Sequence, residues 1–92
     1  MANAVVTFQL MPESPETDLE PIKEKALAIA KENGAKGEMQ AKDEPVAFGL
    51  KKVLILGMFD VDKGDFDAIA AKMGEIENVQ SSEVANMDLA MG

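Results

Sequence analysis

Residues 50–59 read LKKVLILGMF, and this stretch decides the architecture. Beyond Lys51 and Lys52 it is apolar on both parities, with Val53, Ile55 and Phe59 alternating with Leu54, Leu56 and Met58. Successive side chains of a strand point to opposite faces, so a strand apolar on both is covered at least partly on both sides and belongs in the centre of a sheet. The neighbouring segments read outward from it. In residues 35–42, Ala35, Gly37, Met39 and Ala41 alternate with Lys36, Glu38, Gln40 and Lys42, the pattern of an edge strand whose charges deter mispairing. Before it, Leu19, Ile22, Ala26, Ile29 and Ala30 make one apolar helical stripe. Thr17 and Glu20 fit a capping box at its start, Pro21 is tolerated in the first turn, and Asn33 with Gly34 stops it.

Two further strands and one helix complete the chain. Residues 5–11 alternate Val6, Phe8 and Leu10 with Val5, Thr7 and Gln9, which predicts a first strand. Downstream of Gly64 and Asp65, Phe66, Ile69, Ala70 and Met73 form a second helical stripe. The last strand spans residues 79–88, where Val79, Ala85 and Met87 share one phase and Val84 takes the other, so a bulge or irregular end is expected. The order βαββαβ, with right-handed crossovers, places both helices on one face of a four-stranded antiparallel sheet. The expected fold class is α+β, a ferredoxin-like sandwich.

Size and composition then remove functions. A chain of 92 residues supports one domain, here residues 1–92, and buries only roughly 60–65% of the surface its unfolded form exposes, which disfavours a deep catalytic cleft. Cys and His are both absent, so disulfides, a Cys-based zinc site and the commonest general base are missing, and no cofactor is implied. The 17 acids outweigh 9 bases, all of them Lys, for a net charge of -8. That balance disfavours direct contact with nucleic acid, whose binders cluster cations and rely on Arg for bidentate and stacking contacts. The longest apolar run, residues 53–59, is far shorter than the ~20 residues of a membrane span, and the N-terminus lacks a basic targeting region. A cytoplasmic protein is the expectation.

Most chemical motifs fail on inspection. A phosphate-binding glycine loop is missing, and an RNA-binding sheet of this topology needs stacking rings, for which only Phe8 and Phe59 are placed. Asp60, Asp62, Asp65 and Asp67 bunch around Lys63 and Gly64, yet the Gly falls one place early for a calcium loop and Ala71 stands at its twelfth position. These acids read as a solvated turn and a helix start rather than as metal ligands. The segment PVAFGLKK, residues 45–52, is different, because it joins a turn-forming Pro, a Phe beside a Gly and two lysines entering the central strand. Phe48 is either a core residue or, if Gly49 lets the backbone turn, an aromatic displayed at the sheet end as an interface anchor. Lys51 and Lys52 should point to opposite faces.

Three stretches resemble the archaeal guanine-nucleotide exchange domains of the elongation factor 1-beta family: MPESPETDL at 11–19, VAFGLKK at 46–52 and VQSSEVANM at 79–87. The resemblance runs along nearly the whole chain. It implies an exchange factor that promotes GDP release from elongation factor 1-alpha and carries no enzymatic activity. It further implies that Phe48, with Gly49, Leu50, Lys51 and Lys52, docks on that GTPase. The C-terminal residues Ala85, Asn86, Met87, Asp88 and Leu89, continuing to Met91, would reach toward its nucleotide and disturb the magnesium and switch region. One departure matters. The eukaryotic pattern has a Lys two residues after the position of Met87, where this chain has Leu89, and no cation follows Lys72. Two rival readings share the fold: a small-ligand regulatory module, or a structural subunit of the translation machinery.

Overall fold

The computed structural model describes residues 3–62 and 65–90, apart from the side chains of Phe48 and Ala90. Alternation builds its first element. In β1 (Asn3–Pro12) Ala4, Val6, Phe8 and Leu10 are fully buried, while Val5, Thr7 and Gln9 are only partly covered. β3 (Lys51–Asp60) lies antiparallel to it, with Phe8 opposite Ile55 and Leu10 opposite Val53. β2 (Lys36–Pro45) adds to the outer side of β3 and β4 (Val79–Ala90) to the outer side of β1, giving the order β2-β3-β1-β4. The doubly apolar stretch is therefore central and the charged one an edge, as expected. α1 (Leu19–Glu32) and α2 (Phe66–Gly74) both bury their stripes against the face carrying Val6, Phe8, Val53 and Ile55. This is the ferredoxin-like α+β sandwich.

Phe59, near the end of β3, joins two other core rings. Its ring meets Phe8 edge-on at 5.8 Å and 81°, and Phe66 at 5.5 Å and 71°. Gly57, two residues earlier, makes room for it: a Cβ there would lie 3.1 Å from Phe59 Cε1. The opposite sheet face has no helix on it, and Val5, Leu54, Leu56 and Met58 stay partly exposed there. A polar row crosses that face over all four strands. Glu44 of β2 pairs with Lys52 of β3 at 3.6 Å, Lys52 Nζ donates to Gln9 Oε1 of β1 at 3.1 Å, and Gln9 Nε2 donates to Glu83 Oε1 of β4 at 3.3 Å. Phe8 and Phe59 both point the other way, into the core, so neither offers the stacking surface an RNA-binding sheet requires.

Several local expectations need correction. The N-cap of α1 is Asp18, not Thr17: Asp18 Oδ1 accepts from the Glu20 N–H at 3.1 Å. Thr17 is drawn back instead by Ser14, whose backbone N–H reaches Thr17 Oγ1 at 3.3 Å. At the other end the stop at Asn33 and Gly34 is a Schellman closure, in which the Ala35 N–H donates to the Ala30 carbonyl at 3.0 Å and the Gly34 N–H to the Lys31 carbonyl at 3.3 Å. β2 extends to Pro45 rather than ending at Lys42, and its simple alternation fails. Between Lys36 opposite Met58 and Gln40 opposite Leu56 it carries two extra residues, so Gly37 lies exposed in an irregularity while Met39 and Ala41 pack on the core. β3 begins at Lys51, with Leu50 closing the preceding turn. The anticipated break in β4 is a bulge at Ala85, since Thr7 faces Asn86 and Phe8 faces Val84; a second shift leaves Gln80 without an opposite residue.

The acidic run at 60–67 is a turn and a helix start. Asp60 Oδ1 accepts from the Asp62 N–H at 2.9 Å, and Asp65 caps α2 by accepting from the Ala68 N–H at 3.2 Å. Lys63 and Gly64 lie outside the described residues.

One ion pair ties α1 to the edge strand. Lys23 Nζ stands 2.6 Å from Asp43 Oδ1 and 3.6 Å from Glu20 Oε1, with its side chain largely covered. The hydrogen bond to Asp43 holds the ammonium above the ordinary lysine value of 10.5, against a smaller opposing effect of burial. A cation whose pKa is raised by folding adds stability that is complete below the unfolded value and disappears as pH climbs through the folded one. Lys23→Met should therefore lower stability at pH 9 by about 0.2–1 kcal/mol. Urea midpoints of the two proteins should then converge as pH rises above 10.5, and a gap that persists would show that packing of the lysine stem, not its charge, is lost.

Candidate partner-binding surface

The loop before β3 is built around a backbone reversal. Ala47–Gly49 form a single 3-10 turn, closed by the Leu50 N–H donating to the Ala47 carbonyl at 3.3 Å and by the Val46 N–H donating to the Leu50 carbonyl at 2.7 Å. Gly49 has φ +77, a conformation that a side chain disfavours, which accounts for Gly at this position. Val46 is 42% exposed, a large apolar residue open to solvent beside the turn. The side chain of Phe48 lies outside the described residues, so its display remains a sequence expectation. Its backbone stands in the turn, beyond the end of the sheet.

Lys51 and Lys52 separate as expected. Lys52 joins the polar row of the helix-free face, whereas exposed Lys51 borders a cleft with Pro12, Ser14, Pro15, Thr17, Leu19, Asp43 and Gly49 at the helix side. Only Lys51 is thus presented together with the loop; Lys52 is held by Glu44 and Gln9.

The C-terminal candidates are positioned by the register of β4. Leu89 lies opposite Ala4 and Met87 opposite Val6, so both side chains fall on the helix side, beyond the cover that the nine-residue α2 provides. Met87 is 43% and Leu89 67% exposed, the largest apolar exposures beside Val46 among the described residues. Asn86 and Asp88 face the other way and hold each other, Asn86 Nδ2 donating to Asp88 Oδ2 at 2.9 Å. Ala85 is the bulge residue. Met91 lies outside the described residues.

These two groups do not form one site. Leu89 is level with Phe59 at one end of β3, while the loop joins Lys51 at the other end. At about 3.3 Å per residue their separation is about 20–26 Å. A partner that touches both must reach along the whole sheet.

One feature escaped the sequence reading. Phe66, at the start of α2, lines a groove between helix and strand together with Val84 and Met87, and Asp65 and Asp67 line it as well. About twenty residues separate its two walls in sequence, and only the packing of α2 on β4 joins them. Among the described residues there is no group of three or more His, Cys, Asp or Glu able to hold a metal ion, and no helix is long and apolar enough to cross a membrane.

A two-layer domain with large apolar residues exposed at both ends of its sheet carries surfaces of the kind that meet protein partners. Residues 5–89 match the family model of the EF-1 guanine nucleotide exchange domain, and the chain belongs to that family. Relatives match over nearly their full length. The elongation factor 1-beta of Methanococcus maripaludis is 36% identical over 89 residues, covering 97% of this chain and 99% of its own. That of Pyrococcus abyssi is 39% identical over 84 residues, with 89% of each chain covered, and that of Methanosphaerula palustris is 30% identical over 89 residues, with 97% and 99% covered.

Proposed function

We propose that this chain is a guanine-nucleotide exchange factor that promotes GDP release from elongation factor 1-alpha, so that GTP can rebind during translation elongation. The supporting observation is the match of residues 5–89 to an exchange domain, together with the absence from the sequence of Cys, His and any phosphate-binding loop. The factor acts in the cytoplasm, by binding alone. Phe48 anchors one end of the complex, with Gly49 shaping its turn and Leu50, Lys51 and Lys52 beside it. Ala85, Asn86, Met87, Asp88 and Leu89 approach the nucleotide end.

The energetics are set by linkage: a factor loosens nucleotide only as far as nucleotide loosens the factor. Loosening GDP a thousand-fold takes about 4 kcal/mol of preference for the empty GTPase, which one buried aromatic and a few polar contacts can supply. A cation inserted at the magnesium site is not available from the end of β4, where Leu89 stands. Displacement of the switch therefore falls to Met87 and to the backbone at the end of β4.

The direct test is release of a fluorescent GDP analogue from elongation factor 1-alpha with and without the chain; no acceleration would overturn the proposal. A variant examines the missing cation. Leu89→Lys should leave the exchange rate unchanged or raise it, with the folded state verified by circular dichroism. A loss of tenfold or more would show instead that the exposed Leu89 side chain makes a required contact of its own.

A further inference from the structure

We infer that the groove between the start of α2 and the overhanging end of β4 receives a short segment of the GTPase in which an apolar side chain is flanked by Lys or Arg. This rests on the exchange-factor reading for the partner's class, and on the groove itself for the partner's chemistry. The floor is apolar, formed by Phe66, Val84 and Met87. Phe66 belongs to the core, so the floor is rigid, and 43%-exposed Met87 supplies a flexible, polarizable edge that adapts to an incoming side chain. Leu89 continues the apolar strip past the groove, two residues further along the same side of β4.

Charge selects the occupant. Among the described residues, the charged ones lining the groove are Asp65 and Asp67, both acidic and exposed. Asp65 uses Oδ1 to cap α2, which fixes the carboxylate at the groove mouth. The surrounding chain carries a net charge of -8, so an anionic segment would be repelled and a second copy of this chain disfavoured. An apolar side chain with cationic neighbours satisfies floor and rim together. The consequence is steering: the acids raise the association rate and make it salt-dependent, while the floor governs residence.

The test uses the full chain, labelled with nitrogen-15, and nucleotide-free elongation factor 1-alpha, alongside the exchange assay. Amide signals of residues 65–67 and 84–87 should shift on addition of the GTPase. The double variant Asp65→Asn and Asp67→Asn, which keeps a capping side chain at position 65, should lower exchange efficiency roughly five- to tenfold at low salt and flatten its salt dependence. Its thermal midpoint should stay close to that of the parent chain. Exchange that is unaltered in rate and salt dependence, or binding that shifts only other residues, would overturn the groove while leaving the exchange function intact. Shifts of 65–67 and 84–87 on raising the concentration of the chain alone would overturn it in favour of self-association. If the parent chain neither binds nor accelerates exchange, both proposals fall.

Discussion

Phe48→Ala should reduce the rate of GDP release from elongation factor 1-alpha by roughly 30-fold or more while leaving the unfolding midpoint nearly unchanged. The size follows from what a displayed aromatic contributes when it fills a partner's pocket, about 2–4 kcal/mol, each 1.4 kcal/mol being tenfold. The direction of the stability result follows from the fold. Among the described side chains the aromatic cluster of the core comprises Phe8, Phe59 and Phe66, and the backbone of Phe48 lies in a turn beyond the sheet. A core role would instead make the variant unstable by about 3–5 kcal/mol, so the two readings of Phe48 separate in one melting curve. Exchange and stability falling together would place Phe48 in the core; exchange unchanged with a normal midpoint would remove it from the interface. Phe48→Leu should recover part of the loss, because the pocket accepts apolar volume even without a ring.

How far this surface could be read from the chain depends on the range of the interactions concerned. Central β3 was legible because it is apolar on both parities, and the break in β4 was legible because Val84 and Met87 are an odd number of residues apart yet both apolar. Those signals lie within one strand. The capping of α1 was misread because Thr17 and Asp18 are both good N-caps, and the choice between them is made by Ser14, which holds Thr17. The two extra residues of β2 were not legible, because they arise from how β2 meets β3 around Gly57, where Ala35 and Met39 lie against the space of the missing side chain. At the functional surface, the loop could be found from residue types, since a Phe beside a Gly before a strand is a local pattern. That the loop and Leu89 stand at opposite ends of the sheet follows from the antiparallel register, and the acidic groove from the packing of α2 on β4. No single stretch of sequence carries either.

Phe59→Ala tests the scaffold as Phe48→Ala tests the surface, and its expected effect is on stability. Phe59 is 1% exposed and touches rings on two sides, one from β1 and one from α2, so it links the sheet to the second helix. Removing the ring leaves a cavity that Gly57 beside it cannot fill. Truncations of this kind cost about 3–5 kcal/mol, of which edge-to-face pairing accounts for about a third. A domain of this size has about 5–14 kcal/mol in all, so the variant stays folded only by a narrow margin and should melt roughly 15–30 °C lower. Phe66 would lose its partner in the same substitution, and with it the groove floor would loosen. Exchange by Phe59→Ala measured well below its melting range should therefore fall less than that of Phe48→Ala, and recover with Phe59→Leu. A midpoint lowered by only a few degrees would mean that neighbouring core side chains close over the vacated space, and that the aromatic cluster is not what binds α2 to the sheet.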